Sequence, residues 1–223
     1  MLLREQYGDP PEAGPVGTWS TLVRTVLQHG PAKGKRGTGN WIADCPLTDP
    51  AETYRLGADR LAEVLESQRF PAGKAGLLWT LARWWQKSVD PTGEADSQAI
   101  VQIFADRSLE WWQEQLRALP GVNWELADRI LLRVGGRTVY PLDRGSLRIA
   151  ARHGWIDVTA DYDECQSFFR RVEGDARAIL QVLSQWQGAV AKEFCKKVPQ
   201  CEGCPLQTLL PARGVISLDD AGD

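Results

Sequence analysis

No apolar run in this 223-residue chain approaches the roughly 18 residues that a bilayer span requires. The opening stretch MLLREQYGDPPEAGPVGTW has no apolar core of the kind a signal peptide carries, so export is not expected and the cytoplasm is the default location. Positive charge is not in excess either. Lys and Arg total 26 against 29 Asp and Glu, a net charge of −3, so only local clustering of basic residues could point to nucleic acid. Strand-like pattern is nearly missing: RTVY at 137–140 is the one candidate, and it is too short to build a sheet. Repeats of solenoid length and low-complexity tracts are missing too.

What remains is helical and ordinary for a globular protein, with 43% hydrophobic and 25% charged residues. TWSTLVRTVLQHG places Leu22, Val23, Val26 and Leu27 on one face, with Thr18 or Ser20 as N-cap and Gly30 as a stop. The same spacing recurs in DRLAEVLESQ (Leu61, Val64, Leu65) and in KAGLLWTLARWWQK (Leu77, Leu78, Leu81, Trp84, Trp85). SQAIVQIFAD is a shorter candidate, and SLEWWQEQLRAL carries the stripe Leu109, Trp112, Leu116, Leu119. Ala127, Ile130, Leu131 and Val134 mark the next helix, and DARAILQVLSQWQGAVAKEF a long late one. The fold class is all-α. The ten tryptophans sit mostly at helical core spacing, which favours burial over base stacking.

Residues 119–144, LPGVNWELADRILLRVGGRTVYPLDR, carry the first chemical signal. Pro120 and Gly121 break one helix, and Asn123 is a good N-cap for the next. Such a turn can leave amides free near a helix N-terminus, where hydrogen bonds and the helix dipole hold a phosphate without any charged side chain. Taken alone, it reads equally as a plain helix connection.

The order of the whole stretch resembles the helix-hairpin-helix DNA glycosylase superfamily, most closely its endonuclease III branch. The matching positions are Leu119, Pro120, Gly121, Val122, Gly136, Asp143 and Arg148. The position of the family's lysine, 125 here, stands eighteen residues before the acid, as the family pattern requires. Upstream, LAEVLESQRFPAGKAGLL is similar to the family segment leading to its lysine at position 74, and LVRTVLQHG lies where the family has a DNA-penetrating loop. The resemblance implies a two-lobed fold. A six-helix barrel would span residues 20–137, and residues 1–19 with 138–223 would form a second lobe bearing a cysteine loop, with double-stranded DNA holding a damaged base between the lobes. It also implies a monomer that excises a damaged base, an oxidised pyrimidine in this branch. Asp143 would stabilise positive charge on the sugar and activate a nucleophile. The same residue is a good N-cap for the helix holding Leu147 and Ala150, and the two roles are compatible.

Three departures qualify this. Glu125 replaces the lysine that forms a Schiff base in bifunctional members, and a carboxylate forms no imine, so a monofunctional enzyme with little or no lyase activity is expected. Glu125 fits a first-turn role with an i,i+4 pair to Arg129; alternatively it holds a water or contacts the base, as an acid–base partner of Asp143 with one raised pKa. The loop reads LQHG, so Gln28 and His29 are either wedge residues or a helix end with a glycine cap. Arg144, Arg148 and Arg152, with KGKRG at 33–37, supply clustered basic charge for a DNA backbone. A catalytically degenerate DNA-binding protein is the alternative reading.

The end, FCKKVPQCEGCPLQTLLP, is similar to the family's iron–sulfur loop, but Cys195, Cys201 and Cys204 lose one residue from the first gap and Leu210 takes the fourth ligand position. A [4Fe–4S] cluster needs four thiolates, so Cys165, or else Cys45, would complete it. The rival is a relic loop held by packing, and zinc would need a fourth ligand as well.

Overall fold

The computed structural model describes residues 2–8, 15–29, 46–67, 70–171 and 176–218. Gly30, Cys45 and the KGKRG segment lie outside the described residues. Within them the regular structure is helical, with no strand beyond an isolated bridge between Cys195 and Pro199. The helices are α1 (Leu2–Tyr7), α2 (Trp19–Gln28), α3 (Pro50–Val64), α4 (Pro71–Ser88), α5 (Ser97–Ala105), α6 (Leu109–Arg117), α7 (Trp124–Arg133), α8 (Arg144–Arg152), α9 (Tyr162–Phe169) and α10 (Ala176–Glu193). The chain divides into two compact units, Ala13–Arg137 and Met1–Glu12 with Thr138–Asp223.

In the unit Ala13–Arg137, α3 packs on α4, α2 on α4 and α7, and α6 on α7. Leu22, Val26, Leu27, Leu78, Leu81 and Ile130 are among its buried side chains, as their spacing predicts. Thr18, of the two N-cap candidates, accepts from the Thr21 amide at 3.2 Å. Trp112 meets Trp84 edge-on at 6.2 Å, lies 4.6 Å from Phe104, and donates its indole N–H to the Phe104 carbonyl at 3.0 Å. Trp19, Trp84, Trp85 and Trp112 are buried, whereas Trp111 and Trp124 are exposed at 37% and 45%, so burial holds for a part of the set only. The helix read from DRLAEVLESQ starts earlier, at Pro50 behind the N-cap Asp49, and is interrupted at Gly57, whose φ is +75°. That φ suits glycine and breaks the apolar stripe, which is why periodicity marks the second half alone.

In the other unit, α8 packs on α10. RTVY forms no strand. The Gln166 side chain serves the Tyr140 backbone as a neighbouring strand would, accepting from its N–H at 3.2 Å and donating to its carbonyl at 2.6 Å. The Tyr140 hydroxyl meets Ser146 at 2.9 Å and donates to Gln187 at 2.8 Å, and its ring stacks on Phe169 at 4.0 Å. These bonds satisfy extended backbone in the middle of a helical unit.

Candidate nucleic-acid interface

The turn between α6 and α7 is closed by the Val122 amide donating to the Leu119 carbonyl at 3.1 Å. Gly121 sits at φ +85° behind Pro120, the arrangement of a type II turn. Val122 is buried and anchors the turn, while Pro120, Gly121 and Asn123 are exposed. Asn123 is the N-cap of α7, accepting from the Leu126 amide at 2.9 Å. The amides of Gly121 and Asn123 donate no hydrogen bond among the described residues. Two exposed donors therefore sit beside the positive end of a helix, as an anion site requires.

Glu125 lies in the first turn of α7. Its Oε1 accepts from Arg129 Nη2 at 2.8 Å, the i,i+4 pair that the spacing predicts. The Nδ1 of His29 lies 3.5 Å away, too long for a good hydrogen bond, so the Arg129 contact is the stronger one. Burial alone would raise the Glu125 carboxyl. His29 and the Arg129 charge outweigh it, and the net effect holds the group below its ordinary value. The Arg129 guanidinium and the His29 ring beside it favour the ionised form of Glu125.

The structure thus brings together His29, Glu125 and Arg129 from two separate sequence signals. Gln28 is adjacent, its Oε1 accepting from Arg133 Nη1 at 2.7 Å. His29 is the C-cap of α2, and its amide donates to the Thr25 and Val26 carbonyls. Lys74 donates to the Leu27 carbonyl at 2.5 Å, a cation at the negative end of α2. Sequence reasoning passed over Arg24 and Arg133, whose Nε atoms are buried without a partner, as is that of Arg129. A cavity of about 470 Å³ in this unit is lined by Thr18, Trp19, Asp49, Trp85 and Asp90 and by none of the candidate catalytic or DNA-contacting residues.

Asp143 belongs to the other unit. It is half-buried and caps α8, its Oδ1 accepting from the Ser146 amide at 2.6 Å. A Cβ at Gly145 would come within 2.5 Å of Ala191 Cβ and 3.1 Å of Asp143 Oδ1, so glycine there lets α10 approach the acid's helix closely. Arg144 is exposed. Arg148 and Arg152 are committed to the cysteine loop. Arg148 Nε donates to the Cys195 carbonyl at 2.7 Å, and Arg152 donates to the Lys196 and Lys197 carbonyls at 2.6 and 2.7 Å.

That loop tests the implied cluster. Cys195, Cys201 and Cys204 line a cavity of about 10 Å³, closed by Leu210 where the fourth thiolate would stand. Cys165 is buried in α9, next to the Ala160 carbonyl, and is not among the lining residues. No group of three or more His, Cys, Asp or Glu is arranged to hold a metal among the described residues. Burial, then Asp161 and Glu164, push the Cys165 thiol up, and burial does the same to Cys204. A space of about one water and three thiols does not fit a four-thiolate cluster.

No family model matches the sequence. A Methanocaldococcus jannaschii protein named as a candidate DNA repair glycosylase is 25% identical over 164 residues, 72% of this chain and 70% of its own. Among solved structures, two endonuclease III–DNA complexes, one a trapped covalent intermediate and one non-covalent, are each 17% identical with a TM-score of 0.58 over 93% of this chain and 90% of theirs. A thermostable thymine-DNA glycosylase is 14% identical with a TM-score of 0.56 over 93% of this chain and 91% of its own. No described helix is long and apolar enough to cross a membrane. In fold the chain is of the helix-hairpin-helix DNA glycosylase type, similar to endonuclease III.

Proposed function

We propose that the protein is a DNA glycosylase that excises a damaged base from double-stranded DNA by hydrolysis, without a lysine-type lyase step. The observation that carries this is the pairing of an open hairpin, with two unused amides at Gly121 and Asn123, with a capped carboxylate at Asp143 at the family's spacing. The hairpin grips backbone phosphate through neutral donors, Leu119 and Val122 shape it, and Asn123 sets the helix. Asp143 stabilises the charge that builds on the sugar as the glycosidic bond breaks and orients the attacking water. Its cap bond fixes the carboxylate so that one oxygen faces the reaction. Glu125 is held by Arg129 and does not attack. Gln28 and His29 act as wedge residues. Arg144, and Arg148 through the part of its guanidinium that the loop leaves free, contact the backbone. An oxidised pyrimidine is the substrate class, and the protein acts as a monomer in the cytoplasm.

The test is strand nicking of duplexes holding thymine glycol, uracil or a mismatch, with and without alkali. Nicking that depends on alkali and is lost in Asp143→Asn is the expected result. Nicking without alkali would overturn the monofunctional reading. Intact duplex binding with no product from any substrate would favour a DNA-binding protein without catalysis, which the ion-paired state of Glu125 also suits.

A further inference from the structure

Arg24 lies on α2 and Arg129 and Arg133 on α7, two helices in contact, and Arg133 Nη1 reaches across to the Gln28 side chain of α2 at 2.7 Å. Each has a buried Nε without a hydrogen-bond partner among the described residues. Burial, then the Arg129 and Arg24 charges, bring Arg133 down to about 10, so the three guanidinium groups lie close enough to repel one another. Among the described residues the carboxylate in contact with them is Glu125, bonded to Arg129. Three positive charges against one negative, held partly out of water, is an unbalanced arrangement that a fold does not keep without compensation.

A guanidinium has donors and no acceptor, so the missing partner is an acceptor, and the charge excess asks for an anion rather than a neutral carbonyl. Guanidinium forks pair with carboxylates and phosphates, and of these a tetrahedral phosphate has enough oxygens to meet three forks at once. We propose that Arg24, Arg129 and Arg133 form an oxyanion site between α2 and α7 that takes a phosphate group. It is separate from the hairpin amides, which bind through neutral backbone, and does not depend on excision at Asp143. The phosphate is either one of the DNA backbone or free inorganic phosphate, and the chemistry of the site is the same for both.

The experiment is thermal melting of the full chain in inorganic phosphate and in chloride at equal ionic strength, for wild type, Arg24→Gln and Arg133→Lys. At about ten times its dissociation constant, phosphate should raise the wild-type midpoint by about 3–5 °C over chloride. Arg24→Gln should lose most of that gain. Arg133→Lys keeps the charge, gives a folded control if the first variant melts poorly, and should lose about half. Anisotropy of a labelled undamaged duplex then separates the sources. Displacement by phosphate, with about tenfold weaker duplex binding in Arg24→Gln, identifies a backbone phosphate, and no displacement identifies free phosphate. No wild-type gain, or an equal gain in all three proteins, would overturn the proposal.

Discussion

Asparagine caps a helix as well as aspartate does, so Asp143→Asn separates chemistry from folding. The Ser146 amide keeps its acceptor, and the melting midpoint should change by no more than about 2 °C, while base excision should fall by a factor of about 10²–10³ or more. A loss of activity accompanied by a large loss of stability in calorimetry would assign Asp143 to capping alone. Glu125 makes a different prediction, because its carboxyl is held below the ordinary 4.5. A depressed group contributes stability that is present above the unfolded value and lost as pH falls through the folded one. Wild type should therefore exceed Glu125→Gln in urea unfolding by about 1 kcal/mol at pH 7, and the gap should close below about pH 4.5. A gap that stayed constant down to pH 3 would show that the ion pair with Arg129 is not its source.

At the scale of elements, the hairpin and the cysteine loop are held in different ways. The Gly121 turn depends on a left-handed residue, not on space: an added Cβ would meet only Leu77 Cδ1, at 3.5 Å. Gly121→Ala should cost about 1–2 kcal/mol and weaken duplex binding, read by denaturant melts and anisotropy on the same protein. The cysteine loop is tied by Arg152, which is 6% exposed and bonds two carbonyls, and by His153 Nε2 at 3.2 Å from the Leu206 carbonyl. Arg152→Ala should cost about 2–4 kcal/mol, and the purified protein should show no absorbance near 400 nm and no iron or acid-labile sulfide. Stoichiometric iron would mean that a ligand outside the three cysteines completes the site. Helices α2, α7 and α8 were legible because Thr18, Asn123 and Asp143 announce their starts and apolar spacing runs through them. Helix α9 was not read, although Asp161 and Glu164 form a capping box, because its apolar stripe is short. The bonds from the arginine stripe to the cysteine loop were not legible for a plain reason: spacing shows that Arg148 and Arg152 share a face with Arg144, but not that carbonyls more than forty residues later lie against it. The Arg24, Arg129 and Arg133 group was illegible for the same reason, since its members come from helices about a hundred residues apart.

At the scale of the molecule, a net charge of −3 and the proposed DNA-binding role have to coexist. Proteins that hold DNA through many lysines and arginines release a counterion at each phosphate, and their affinity collapses as salt rises. Here the hairpin offers two neutral amides, Arg152 and one edge of Arg148 are spent on the cysteine loop, and Arg144 is the exposed member of that stripe. With Arg144, Arg148 and the Arg24–Arg129–Arg133 site as the cationic contacts of that interface, the dependence of log affinity on log salt should be shallow, with a slope of about −2 to −4. Shallow salt dependence would also mean slow electrostatic capture, which leaves recognition to the fit of the extruded base in its pocket rather than to attraction for any duplex. Anisotropy with a labelled duplex from 50 to 300 mM salt measures the slope directly. A value near −8 would require at least as many charged phosphate contacts, and would place basic residues of the KGKRG segment on the DNA.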